Sequence, residues 1–217
     1  MRPSRRRLQH LWSLPDSSEM LRILCVVLAL PLLAACAFPG STKPTVKLGL
    51  SAPFEGVERD LGYDVLHAVR LAVRQRNATG GISDRYLVEL VALNDFGEAE
   101  EAVVQARKMA VDPDVLGVLG GWSAESERVA IPEYQSLGLA FLYPGVASDQ
   151  GTVSAQSDPG PSFVSDYQDL SGGALPKAHA IWAYNEANRL LDAFEAAILA
   201  GGHPTRAGVL MALEEQR

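Results

Sequence analysis

The sequence predicts an α/β protein: one doubly wound, mostly parallel sheet forming a single lobe, with extra helices at its C-terminal end. Three observations predict it. Short apolar runs alternate with stretches whose apolar residues recur at spacings of three and four. The run over residues 86–93 is almost continuously apolar, as a strand buried on both faces must be. Gly80-Gly81, Pro144 and Gly201-Gly202 punctuate the pattern where elements end. Of the 217 residues, 47% are hydrophobic and 21% charged. That balance excludes a disordered or fibrous chain. The formal net charge of −7 excludes non-specific nucleic-acid binding, which rests on clustered Lys and Arg.

In chain order, residues 1–35 read as a leader. Arg22 precedes an 11-residue apolar run over 23–33. A spanning helix needs about 20 such residues, whereas a secretory signal has a short apolar stretch behind a basic one. The run ends in Leu33-Ala34-Ala35-Cys36, which resembles a bacterial lipobox and implies cleavage before Cys36 and lipidation of its sulfur. The other reading is an ordinary signal peptide with a chance cysteine beside it. Met20-Leu21-Arg22 would by itself open such a signal, so translation is expected to begin at Met20. With Cys25 removed and Cys36 lipidated, no thiol is left for a disulfide, a metal or a nucleophile. The leader carries five Arg against Asp16 and Glu19, so the remaining 182 residues carry −10. Residues 36–44 are a lipidated tether in which Pro44 bars a helix.

The α/β core is expected over 45–148. Residues 45–50 form a strand with Val46, Leu48 and Leu50 alternating, and Val65, Leu66, Val69, Ala72 and Val73 form a helical stripe. Residues 86–93 form the second strand. Residues 98–111 form a helix, with Glu98, Glu100 and Glu101 at its positive end and Arg107 and Lys108 late, as the helix dipole favours. A strand over 115–119, a helix over 123–136 and a strand over 139–143 follow. Residues 149–162 are a polar Ser/Gly/Asp/Pro linker. Residues 163–217 are helical: a short helix over 163–170, a long one opened by Pro176 as a first-turn residue, and a last one over 204–215. Ile181, Tyr184, Ala187, Leu191, Phe194 and Ile198 mark the buried face of the long helix. Ligands of such sheets bind beyond the carboxyl ends of the strands, so the loops to watch are 51–61, 94–97, 120–125 and 144–150.

The stretch Val46-Lys47-Leu48-Gly49-Leu50-Ser51-Ala52-Pro53-Phe54-Glu55-Gly56 resembles the opening strand and ligand loop of type I periplasmic binding proteins. The nearest branch is the leucine/isoleucine/valine-binding group of ABC-importer lipoproteins. Asn77-Ala78-Thr79-Gly80-Gly81-Ile82, the Asp95-Phe96-Gly97 turn, Gly120-Gly121-Trp122-Ser123, Tyr143-Pro144-Gly145 and the helices of 163–216 continue the likeness in order. The resemblance implies a flavodoxin-like topology for the first of two lobes. It also implies that 163–217 packs back on that same lobe, and that the linker stands where a second lobe is expected.

By resemblance, the loops after the third and fourth strands hold a ligand's charged groups. The positions are Ser123, Ala124, Gly145, Ala147 and Ser148. Ala124 and Ala147 replace residues that are usually hydroxyl-bearing in the family, so there only the backbone can donate. Ser123 and Ser126 are equally good helix-cap residues. Tyr63 and the 53–56 loop are further lining candidates. Gly121-Trp122-Ser123-Ala124-Glu125 looks like a nucleophile elbow, but Glu125 replaces its second Gly, and His67, His179 and His203 follow no triad spacing. Asp95-Phe96-Gly97 is expected to turn the chain and cap the next helix. No catalysis, cofactor or metal site is expected.

The function implied is that of an extracytoplasmic, lipid-anchored solute-binding protein. Its partners would be a small amino acid or amide and an ABC permease, and its membrane contact only the anchor. Binding is expected to be weak or lost without a second lobe. The alternatives are an interaction module that pairs through the uncovered face, for example as a homodimer, and a non-functional remnant.

Overall fold

Residues 43–146 and 158–216 are described by a computed structural model. The near-continuous apolar runs become four strands, and each period-3.6 stretch between them becomes a helix. In chain order these are β1 (Thr45–Ala52), α1 (Arg59–Ala78), β2 (Leu87–Asn94), α2 (Ala99–Val111), β3 (Val115–Leu119), α3 (Ala124–Ser136) and β4 (Ala140–Leu142). Three helices follow: α4 (Phe163–Ser171), α5 (Ala178–Gly201) and α6 (Arg206–Glu215). The strands lie in the order β2-β1-β3-β4, and every neighbouring pair is parallel. The chain winds outward from β1 to β2 and then crosses to the other side for β3 and β4. That reversal is the topological switch point of a doubly wound sheet.

Two apolar layers flank the sheet. On one face Val46, Leu48 and Leu50 of β1 meet Val65 and Val69 of α1, Leu190, Leu191 and Phe194 of α5, and Val209 and Leu213 of α6. On the other, Val115 and Val118 of β3 meet Ala106 and Met109 of α2 and Tyr134 of α3. Phe163 and Tyr167 of α4 are buried in the first layer, so the helices after residue 158 complete the same lobe. Polar ties reinforce it. Arg76 of α1 pairs with Asp192 and with Glu195 (3.1 Å) on α5, and the Tyr184 hydroxyl bonds Gln75 Oε1 at 2.5 Å. Asn77 both donates to and accepts from the backbone of Val88 at 2.8 Å. Its amide therefore closes part of the β2 edge. After α1 the chain reverses through Gly81 at φ +83, where a Cβ would lie 2.0 Å from the Tyr86 carbonyl oxygen. Only glycine fits there.

Several boundaries depart from expectation by one or two residues, and three of them have a visible cause. β1 runs two residues further because Ser51 and Ala52 continue the ladder to Leu93 and Asn94. Pro176 lies outside α5 rather than in its first turn: Lys177 is the extended N-cap, and its N–H donates to Asp64 Oδ1 on α1 at 3.3 Å. That tertiary bond delays the helix. α6 starts at Arg206 because the Thr205 hydroxyl caps it through Gly208 N–H at 3.0 Å.

Candidate functional site

The loops after the four strands meet along the carboxyl edge of the sheet, around the switch point between β1 and β3. Their centre is polar and closely bonded. Asp95, just past β2, is buried; its two carboxylate oxygens accept from the Ser51 hydroxyl at 2.8 Å and from Gly97 N–H at 3.0 Å. Burial is the main cause that holds its carboxyl above the ordinary value of 3.8, with Glu58 adding to the rise. Next to it, Asn94 Oδ1 accepts from the N–H groups of Phe54 (2.9 Å) and Phe96 (3.0 Å). Trp122 in the loop after β3 donates its indole N–H to the Ser51 carbonyl at 2.8 Å. Its ring meets Trp182 edge-on at 5.4 Å and His179 at 6.4 Å, so the start of α5 also borders this edge.

Ser123 is the N-cap of α3. Its hydroxyl accepts from Ser126 N–H at 3.2 Å and lies 3.1 Å from the Gly97 carbonyl and 2.9 Å from Ser126 Oγ. Ser126 Oγ in turn accepts from Ser123 N–H at 3.2 Å, a reciprocal capping box. Both hydroxyls are thus occupied in holding the turn, and none of the bonds that engage Ser123 involves a histidine. Ala124 follows in the first turn of α3, where helix N–H groups have no intrahelical acceptor. Gly145, half-buried at φ +79, stands in the neighbouring loop after β4. There the buried Glu127 accepts from Val146 N–H at 2.7 Å. The structure therefore brings Ser123, Ala124 and Gly145 to adjacent loops. Ala147, Ser148 and Cys36 lie outside the described residues.

Two expectations change. Asp95 does not cap α2, whose N-cap Glu98 makes no side-chain cap bond. It turns inward because Ser51 and Gly97 offer donors there. Tyr63 packs against Phe54, 5.9 Å between ring centres, and lines a separate cavity with His67 and Tyr167. Sequence reading missed Asp95 as the buried hub and missed the Trp122–Trp182–His179 cluster. The three-residue spacing of His179 and Trp182, which puts both on one face of the long helix, was the available signal for the latter.

Residues 45–155, about half of the chain, match a family model described as periplasmic binding protein. The Leu/Ile/Val-binding protein homolog 7 of Brucella melitensis is 27% identical over 127 residues, covering 58% of this chain and 31% of that protein. An amino acid binding protein of Pseudomonas aeruginosa is 25% identical over 126 residues, covering 58% and 33%. The chain thus spans about a third of the length of the curated relatives it matches. Among solved structures, a branched-chain amino acid ABC transporter protein from Rhodospirillum rubrum aligns with TM-score 0.66 at 18% identity, over 78% of this chain and 88% of that one. The substrate binding protein LivJ from Streptococcus pneumoniae, in complex with isoleucine, aligns with TM-score 0.64 at 13% identity, over 80% and 88%. These structural likenesses establish the fold. The matches are to binding proteins and not to enzymes.

Proposed function

The chain belongs to the periplasmic binding protein family, and from this premise we propose that it is an extracytoplasmic, lipid-anchored binding protein related to the substrate-binding component of branched-chain amino acid ABC importers. It holds a small amino acid or amide weakly at the carboxyl edge of its sheet and presents it to a permease. The observation that carries this reading is the β2-β1-β3-β4 order, which sets the 120–124 and 143–146 loops side by side at the switch point. There the first turn of α3 favours a ligand carboxylate. Ser123, Ala124 and Gly145 contribute, together with Ala147 and Ser148, which follow in the sequence. Because the Ser123 hydroxyl is occupied by its cap, main-chain N–H groups supply the donors. Calorimetry of the full chain with a panel of amino acids tests this. A saturable response that is lost on Ala124→Pro, whose ring removes the Ala124 N–H, is expected; no response to any of them overturns the reading.

The sequence supports the anchor: residues 1–35 are cleaved, Cys36 takes lipid, 36–44 is the tether, and 149–162 links the 45–148 core to the 163–217 helices. No helix among the described residues is long and apolar enough to cross a membrane. Cys36→Ala is expected to abolish incorporation of labelled fatty acid, and retained label overturns the assignment.

A second reading has its own observation. Val57, Phe96 and Tyr143, in the loops after β1, β2 and β4, are 103%, 43% and 39% exposed. Large apolar side chains gathered on one edge mark a surface that another chain covers. Sedimentation of the full chain in mild detergent discriminates: a concentration-dependent dimer supports pairing through this edge, and a strict monomer removes the homodimer.

A further inference from the structure

The two outer strands of the sheet are finished differently. Along β2 the Asn77 amide bonds both the N–H and the C=O of Val88 at 2.8 Å, and the exposed Glu89 follows. Side-chain cover and charge both keep a sheet edge from pairing with another chain. Among the described residues β4 has neither. It pairs there with β3 alone, and residues 139–143 read Leu-Ala-Phe-Leu-Tyr, without a charge.

The ladder assigns the outward groups of β4. The Leu142 carbonyl accepts from the N–H of Gly120, directly after β3, at 3.1 Å. Main-chain groups alternate in direction along a strand, so Leu139, Phe141 and Tyr143 turn theirs away from β3. The Leu139 N–H is already used, donating to the Tyr134 carbonyl of α3 at 3.1 Å. Pro144 has no N–H and ends the run. The edge thus offers two donors, the N–H groups of Phe141 and Tyr143. An antiparallel copy of the same edge, turned about a two-fold axis at Phe141, satisfies both. Phe141 exchanges two bonds with Phe141 of the partner subunit, and each Tyr143 N–H faces a Leu139 carbonyl. The occupied Leu139 N–H is not needed. Beside the edge runs a groove of about 240 Å³, lined by Ile131 and Gln135 of α3, by Leu139, Phe141 and Tyr143, and by Leu210 of α6. Helices of both layers frame it, and no charged residue lines it. The Phe141 ring is held between Tyr134 at 4.3 Å and Tyr143 at 5.6 Å.

We propose that this edge is an interface between two copies of the chain, in which β4 pairs antiparallel with β4 and the sheet continues across both. A two-fold contact sets each surface against itself, and an uncharged groove with matched donors and acceptors meets itself without repulsion. A standard interface takes about 20–30 residues a side. The strand residues 139–143 and the facing turns of α3 and α6 give fewer, so the dimer is weak and forms at high concentration. It uses the flank of the sheet rather than its carboxyl end, so it is independent of the readings above; Tyr143 is the residue they share.

The test is sedimentation equilibrium of the full chain in mild detergent over a concentration series, with amide hydrogen exchange followed by NMR. A reversible monomer–dimer equilibrium is expected, with exchange at Phe141 and Tyr143 slowing as the dimer fills. Tyr143→Pro, which removes one of the two donors, is expected to weaken association at least about tenfold. Tyr143→Ala keeps that N–H and is expected to weaken it less. Val57→Lys, at the carboxyl edge, is expected to change it less than about twofold. If Tyr143→Pro fails to fold, exchange in the unaltered chain and the Val57→Lys result still decide. A strict monomer overturns the proposal, and is the result if another segment of the same chain occupies the edge. So does a dimer indifferent to Tyr143→Pro, a dimer lost on Val57→Lys, or exchange at Phe141 that ignores concentration.

Discussion

Asp95 shows how one side chain sets the chemistry of a loop edge. Its carboxylate ties β1 to the turn after β2, and burial raises its proton affinity in the folded state. A folded-state value above the unfolded one means that the native state binds the proton more tightly. The stabilisation this gives is complete below the ordinary carboxylate value of 3.8 and is lost as pH rises through the folded value. Asp95→Asn keeps an oxygen for Gly97 N–H and offers an N–H to Ser51 Oγ. Urea unfolding from about pH 4 to pH 7 is therefore expected to show the unaltered chain losing stability relative to Asp95→Asn as pH rises; a parallel pair of curves would refute the coupling. Ser123→Ala is expected to cost about 1 kcal/mol through loss of the cap, measured in the same way. Ser123 was legible in the sequence because a serine at a strand-to-helix turn serves both a cap and a ligand loop. Asp95 was not, because Asp-x-Gly reads locally as a surface turn and only the fold puts Ser51 opposite it.

At the scale of elements, the contact of α5 with the sheet depends on a missing side chain. A Cβ on Gly117 of β3 would lie 2.7 Å from Leu190 Cδ1. Gly117→Ala forces that flexible terminus to move and is expected to cost about 1–3 kcal/mol. Leu190→Ala alone opens a void, but the two together are expected to cost less than their sum, by about 0.5–3 kcal/mol. A double-mutant cycle in urea reads this directly, and additivity removes the contact as the cause. At the other end of the strand, the Arg206 guanidinium donates to the carbonyls of Val115 (2.9 Å), Ala110 (3.1 Å) and Asp112 (2.6 Å). Arg206→Ala is expected to destabilise by about 1.5–3 kcal/mol, the range for bonds to a charged donor. The strand and helix order was legible because apolar period reports burial directly. Helix starts were less so: Lys177 is kept out of α5 by a bond to Asp64, 113 residues away in sequence, and no local pattern carries such information.

For the whole molecule, affinity follows from how much of a ligand the described lobe can surround. Small-molecule sites that bind tightly bury about 70–90% of the ligand surface, and a micromolar complex corresponds to about −8 kcal/mol. The carboxyl edge presents one wall, built from loops of a single sheet. A ligand lying on one wall forms roughly half of the contacts it would form between two. Halving the free energy leaves about −4 kcal/mol, which is a millimolar complex. Main-chain donors at the start of α3 add direction, but the Ser123 hydroxyl adds little because its cap already uses it. Calorimetry or NMR titration of the full chain with branched-chain and small polar amino acids is therefore expected to give dissociation constants near millimolar, with shifts at residues 120–124 and 143–146. A micromolar constant for any of them shows that a second wall forms, and sedimentation of the liganded chain then tells whether another copy supplies it.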